Sequence, residues 1–303
     1  MPESPEVQAL VEDLDARLTG RAIAEVDVLE FRVTKTRTRP LSTLVGERVT
    51  GVARHGKLVD VEFDGSEHLV VSLGRHGWAR WRDAEASGGD ADGATRATTA
   101  EAEAEAGAEA EAEPPPPALA VLEFDAGPAL ELTDAGGWVS LACWVVDEAD
   151  EVPAIAKLAS DPADPGFARA DFEGVVRGRR KQVKAILQDQ ESFAGIGNAY
   201  SDEILHAAKV SPVVHGAGLG DDDLERLYEA TLGVIRDAID ARRGIPIDEL
   251  KAAKVAAMRV HGRAGEACPR CGDTVLDFSF ASTTAQYCPT CQTGGEVLPI
   301  KEA

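Results

Sequence analysis

The sequence predicts an α+β chain: an N-terminal antiparallel β-sandwich led by one helix, then a helical domain, then a small cysteine-bearing β-hairpin. Three observations predict it. Short β-rich segments joined by glycine and polar turns fill the first half. From about Pro162 the apolar spacing becomes helical. Near the end stand two Cys-x-x-Cys knuckles, Cys268–Cys271 and Cys288–Cys291, with sixteen residues between them. The expected domain boundaries are 1–160, 161–259 and 260–303.

The first helix starts at Ser4-Pro5, a good N-cap followed by a proline suited to the first helical position. Val7, Leu10, Val11, Leu14 and Leu18 share one face, and Gly20 ends the helix. This geometry sets the chain start against the positive end of a helix dipole. Removal of Met1 would leave a secondary amine there, with its pKa lowered from about 8 by that dipole. Such an amine is a nucleophile toward an aldehyde-like carbon, with the carboxyls of Glu3 and Glu6 beside it. Pro-Glu-Ser-Pro-Glu also reads as a plain helix start, and both readings stand at this point.

Strands are expected at 22–29, 49–54, 58–63, 68–73 and 78–82. The turn Arg54-His-Gly-Lys57 reads either as a solvated hairpin or as a phosphate contact. Residues 83–117 hold ten acids against the single Arg96, in Glu-Ala repeats closed by prolines. Nothing there builds a core, so a disordered insertion is expected. The sandwich resumes with strands at 119–124, 129–132 and 139–146, the last enclosing Cys143 as a buried small apolar residue.

The net charge of −22 argues against nucleic acid on its face. The local pattern argues the other way. Arg177, Arg179, Arg180, Lys181 and Lys184 put five cations in eight residues with no acid among them. They read either as a solvated helix face or as a footprint for a phosphate backbone. The Gly-Ile-Gly-Asn198 turn that follows offers backbone N–H groups to a phosphate. Helices are expected at 200–209 and 221–240, the second capped by Asp221. Arg242, Arg243, Lys251, Lys254, Arg259 and Arg263 form a second basic stretch.

The paired knuckles carry the spacing of one tetrahedral Zn²⁺ site, with Cys268, Cys271, Cys288 and Cys291 as ligands. Disulfides are the competing reading. Four thiolates leave no coordination position for water, so the ion is expected to be structural and to brace the hairpin between the knuckles. No apolar run reaches the roughly 18 residues of a membrane span. No basic, apolar leader opens the chain, and metal-bound cysteines fit a cytoplasm.

Four stretches together resemble the formamidopyrimidine-DNA glycosylase and endonuclease VIII family: MPESPE at the start, Gly56-Lys57, DQESFAGIGNAYSDE at 189–203, and VHGRAGEAC at 260–268. The resemblance implies a β-sandwich, a helix–two-turns–helix domain and a zinc hairpin, with damaged DNA in the cleft between and a monomer doing the work near the nucleoid. It implies a glycosylase with abasic-site lyase activity. Pro2 would attack C1′ of a flipped-out nucleotide, and Glu3 would act as acid and base. Glu6 would support them, while Lys57 and Asn198 would hold phosphates. The sequence departs from the family pattern at Thr283, where a hairpin arginine is usual. It departs again at Arg75, Gly137 and Trp138, where base-replacing residues fall. Those departures predict an altered lesion choice, with 8-oxoguanine disfavoured. A binder of distorted DNA without chemistry is the alternative reading, and an interaction ribbon in a salt-adapted protein is a third.

Overall fold

The computed structural model describes residues 1–82, 115–280 and 283–299. The acidic insertion expected at 83–117 falls outside the described residues, apart from 115–117. The side chain of Thr283 also falls outside them.

Helix α1 (Ser4–Leu18) turns Val7, Leu10, Val11, Leu14 and Leu18 inward, as their spacing predicts. Its cap differs from expectation. Glu3, not Ser4, is the N-cap, and its N–H donates to Glu6 Oε2 at 3.2 Å. The Ser4 N–H is already engaged outside the helix, on Gly195 O at 3.0 Å. Strands β1 (Ile23–Val28), β2 (Val49–His55), β3 (Leu58–Phe63), β4 (His68–Ser72) and β5 (Gly77–Arg82) follow, then β6 (Ala118–Phe124), β7 (Ala129–Asp134) and β8 (Ala142–Val146). They form two antiparallel four-stranded sheets, ordered β1-β6-β7-β5 and β2-β3-β4-β8. The inward residues of both sheets and of α1 make one apolar core, with Cys143 fully buried in it. Burial pushes that thiol up to about 12.

The strand expected at 139–146 begins three residues late. The Asp134 carboxylate accepts from the N–H groups of Gly136, Ser140 and Leu141 at 2.7–3.0 Å. Those amides are therefore lost to the ladder, and a loop forms instead.

The helical part comprises α2 (Pro153–Ala156), α3 (Arg169–Val176), α4 (Val183–Leu187), α5 (Asn198–Ala208), α6 (Asp221–Arg242) and α7 (Leu250–Ala257). Its core is built on Phe172 and Phe193, stacked with centroids 5.1 Å apart. Asp221 is the first residue of α6, and Gly220 occupies the cap position. Ile247 and Leu250, which follow α6, return to the sandwich core, where Trp78 Nε1 donates to Ile247 O at 2.7 Å. The sequence reading groups them with the helical domain. The last module is the expected hairpin, β9 (Leu276–Phe280) with β10 (Thr283–Tyr287), closed by α8 (Pro289–Gln292). Glu203 of α5 accepts from the N–H groups of Val260 and His261 at 2.9 Å and ties the approach to this module to the helical core.

One expected phosphate-binding cation is not available to a phosphate. Lys184 is 4% exposed, and its Nζ lies 2.5 Å from Asp202 Oδ1 and 3.0 Å from Ser201 Oγ. Local clustering of cations in sequence says nothing about burial, and α4 turns this one into the domain interior. Arg177, Arg179, Arg180 and Lys181 remain exposed, with Arg177 on Asp221 and Lys181 on Asp189 at 2.9 Å. Lys184→Ala takes its cation from the buried Asp202 carboxylate and leaves it with His261 Nδ1 at 2.8 Å. It should lower stability by about 3–5 kcal/mol in a denaturant titration. A change in DNA affinity with no loss of stability would contradict the structural role.

Candidate active site

The site is built where three distant parts of the chain meet. A cleft of about 940 Å³ is lined by Pro2, Glu3, Lys57, Arg75, Asn198 and Lys254, among others. The hairpin turn between β2 and β3 carries Lys57 into it, with Gly56 at φ +57. Arg54, one side of that turn, is buried against Asp161 at 2.6 Å and donates to Gly56 O at 2.7 Å. The turn is therefore anchored to the helical part and does not swing free, so the solvated-hairpin reading fails.

Glu3 is 2% exposed and sits at the N-terminus of α5. Its carboxylate accepts from the N–H groups of Gly197, Ala199 (3.0 Å) and Tyr200 (3.4 Å). The N–H groups of the Gly-Ile-Gly-Asn turn were expected to face a phosphate. Within that turn the Gly197 N–H faces this internal carboxylate instead, and Gly195 N–H is taken by Gln190 Oε1 at 2.9 Å. Gly197 is required by close approach: a Cβ there would meet the Glu3 carboxyl at 2.7 Å and Lys57 Nζ at 2.9 Å.

Burial alone would push the Glu3 carboxyl up. Lys254, Lys57 and the helix N–H groups outweigh it and hold the group below its ordinary range. Glu3 is thus ionised at neutral pH. Lys57 moves the other way: burial lowers it to about 8, partly offset by Glu3. The α-amino group of Met1 is lowered too, by burial first and then by Lys254.

Lys254 is the residue that sequence reasoning passed over, naming it only within a basic stretch. Its Nζ bridges Glu3 Oε1 at 3.2 Å and Glu6 Oε2 at 3.1 Å, and lies 5.0 Å over the Tyr200 ring. Glu6, 1% exposed, also accepts from Tyr200 Oη at 2.7 Å and faces Arg242 Nε at 3.7 Å. No local signal marks these partners, because they lie some two hundred residues apart in the chain. Asn198 opens α5 at the cleft wall and accepts from Gln188 Nε2 at 2.8 Å. Arg75 lines the same cleft, whereas Trp138 lines a separate one.

The sulfurs of Cys268, Cys271, Cys288 and Cys291 lie within 4.8 Å of one another. None is paired in a disulfide. A set of four soft thiolate donors fits a closed tetrahedral zinc site. His206 of α5 approaches Cys268 Sγ at 3.3 Å and joins the module to the helical core.

A β-sandwich, a helical domain and a zinc hairpin around one cleft define a class, and the comparisons agree. The formamidopyrimidine-DNA glycosylase N-terminal domain matches residues 1–137, its H2TH domain matches 158–248, and a zinc finger found in FPG and IleRS matches 265–294. The formamidopyrimidine-DNA glycosylase of Mycobacterium sp. strain JLS is 31% identical over 306 aligned positions, which cover 96% of this chain and 97% of that protein. An uncharacterized formamidopyrimidine-DNA glycosylase-like protein of Mycobacterium tuberculosis is 48% identical over 128 residues, 42% of this chain and 81% of its own length. The MutM (FPG) protein of Thermus thermophilus superposes with a TM-score of 0.74 at 25% identity, covering 96% of this chain and 99% of that one. Lactococcus lactis Fpg bound to DNA with an abasic site shares the fold, with a TM-score of 0.75 at 22% identity and the same coverage. The chain belongs to the formamidopyrimidine-DNA glycosylase family, and Cys268, Cys271, Cys288 and Cys291 hold one structural zinc ion.

Lys57 supplies a pH test. A phosphate binds its charged form, so binding above a pKa of about 8 must take up a proton. Affinity for abasic-site DNA should therefore fall as pH rises from 7 to about 9. Lys57→Arg, charged throughout, should flatten that decline in an anisotropy titration; an unchanged slope would remove Lys57 from the contact.

Proposed function

We propose that this protein is a base-excision repair glycosylase that removes damaged bases, oxidised ones foremost, and nicks the strand as an abasic-site lyase. The observation that carries this reading is Glu3: an ionised carboxylate, buried beside Pro2, held by a helix N-terminus and two lysines at the wall of one large cleft. The family match and the DNA-bound relatives support it.

With Met1 removed, the Pro2 nitrogen becomes a secondary amine at a place where burial and the Lys254 charge lower an α-amine. It attacks C1′ of a nucleotide turned out of the stack. The C1′–N bond breaks and the base leaves, taking a proton from solvent water. Glu3, ionised at the outset, takes the proton that the amine loses and returns it to the sugar ring oxygen as the ring opens. The product is an iminium between Pro2 and C1′. Loss of a C2′ proton from it expels the 3′ phosphate, and a second elimination expels the 5′ phosphate. Glu6 supports the head of α1, and Lys57 and Asn198 hold phosphates of the damaged strand. Arg75, Trp138 and the exposed cations Arg177, Arg179, Arg180 and Lys181 extend the DNA contact. We assign the chemistry to residues 1–160, the DNA grip to 161–259 and the hairpin brace to 260–303, and we place this work at the nucleoid in the cytoplasm.

Borohydride trapping on an oligonucleotide with one abasic site tests this directly. The Met1-processed protein should give a covalent adduct mapping to Pro2. Pro2→Gly should cut strand nicking by about 100-fold or more. Full nicking by that variant, or DNA binding without any adduct, would replace the mechanism with a non-catalytic binder.

Lys254 generates a second test. Its charge disfavours a protonated amine, so its loss should raise the amine pKa. The rate of trapping rises with pH until the amine is neutral. In Lys254→Met that rise should move to higher pH, and Lys254→Arg should restore it. A pure loss of rate with no displacement would make Lys254 structural only.

A further inference from the structure

One face of the β2-β3-β4-β8 sheet carries ligand-type side chains that none of the chemistry above uses. Strand alternation sends Val59, Val61 and Phe63 of β3 into the sandwich core and turns Leu58, Asp60 and Glu62 the other way. The register adds two histidines to that second face. His68 of β4 lies opposite Glu62, and His55 of β2 lies opposite Leu58. Three adjacent strands thus bring two imidazoles and two carboxylates to one patch.

Asp60 is the unusual member, at 1% exposed. It pairs across the ladder with Val70, which belongs to a small apolar cluster with Leu58, Val146 and Val152. A carboxylate withdrawn from water needs a cation or several donors. The partners of Asp60 are His55 Nε2, 3.1 Å from Oδ2, and His68 Nδ1, 3.0 Å from Oδ1 and 3.1 Å from Oδ2. Glu62 adds a second negative charge, and Asp60, Glu62 and His68 hold their ligand atoms within 4.8 Å of one another. Among the described residues neither carboxylate pairs with a lysine or arginine, and no backbone N–H reaches Asp60.

Hydrogen bonds alone leave this charge unbalanced. Two neutral imidazoles donate two N–H groups and no charge, and one protonated imidazole offers a single charge to two carboxylates. A divalent cation balances both. The spacing suits one: nitrogen and oxygen ligands about 2.0–2.2 Å from one Zn²⁺ stand about 3–3.5 Å from each other. Mixed imidazole and carboxylate donors favour zinc and its first-row neighbours over calcium or magnesium, which take oxygen ligands. The side chains of His55 and His68 are 35% and 19% exposed, so the patch is open to an ion from solvent.

We propose that Asp60, Glu62, His55 and His68 bind a second divalent ion of the zinc class, apart from the four-cysteine site. Asp60 Oδ2, which meets both imidazoles, is its anchor. The ion cross-links β2, β3 and β4 on both sides of the turn that carries Lys57, because His55 precedes Lys57 by two residues and Asp60 follows it by three. The inference stands on these strands alone and is independent of the glycosylase reading.

The test uses the full chain purified with its cysteine-bound zinc and dialysed against metal-free buffer. Zn²⁺ is titrated in by calorimetry, and the metal content per chain is counted by mass spectrometry. The wild type should take up a second zinc ion at micromolar free metal. His68→Gln and Glu62→Gln should each weaken that second ion by about tenfold or more and leave the first in place. His55→Gln, at a partly exposed side chain, should do the same and serves where another variant fails to fold. Saturating Zn²⁺ should raise the wild-type melting temperature by a few degrees and leave that of His68→Gln where it was. Co²⁺ added to the second site should give weak visible bands without thiolate charge transfer, which separates it from the cysteine site. A wild type that stops at one ion makes the cluster two histidines hydrogen-bonded to a buried acid, and the proposal falls. It falls too if the second ion binds only at millimolar metal, or if all three variants still take it up.

Discussion

Everything in the site hangs on one buried carboxylate at the head of one helix. Glu3 belongs to α1, yet its hydrogen bonds go to the first turn of α5. A charge removed from water needs partners or its pKa climbs until it is neutral. Here the partners are backbone N–H groups with a dipole behind them, and two lysines carried in from the hairpin turn and from α7. The same contacts fasten the β-sandwich to the helical domain. The geometry that orients the head of α1 is therefore also the domain interface, and one cannot be disturbed without the other.

The carboxylate sets the character of its neighbours. Lys57 is buried enough to titrate near neutrality, and Glu3 keeps it from falling further. Lys254 is raised above its ordinary value because Glu3 and Glu6 outweigh its own burial. One lysine thus stays firmly charged while the other is poised to lose its proton. Both line the cleft, and in both the acidic centre acts toward the charged form; burial outweighs it at Lys57 and not at Lys254.

How much of this could be read from the sequence follows from how local each signal is. The zinc ligands were legible because Cys-x-x-Cys is a statement about one turn of chain. Helix α1 and the hairpin between the knuckles were legible from periodicity alone. The strand end at 139–141 was not, because the Asp134 side chain competes for the amides. The role of the Gly-Ile-Gly-Asn turn was half legible: the N–H of Gly197 and those of Ala199 and Tyr200 just after it do gather an anion, but the anion is Glu3, nearly two hundred residues away. Lys184 failed for the converse reason. Its cationic neighbours in sequence are exposed, while its partner Asp202 comes from another helix and draws it inside. Lys254 carried no signal because both of its carboxylate partners are at the far end of the chain.

The acidity of the whole molecule and its reading as a DNA enzyme are reconciled by distance. A net charge of −22 acts through solvent, where salt screens beyond about 8–10 Å. The cations of the cleft act at contact, and several are partly withdrawn from solvent, where screening is weak. The neighbouring acids do not cancel them; Glu3, Glu6 and Asp161 are spent holding Lys254 and Arg54 in place. That leaves Lys57, Arg75 and Lys251 directed at the cleft, with Lys251 held 5.4 Å over the Trp78 ring. An acidic exterior then keeps indiscriminate polyanion binding low.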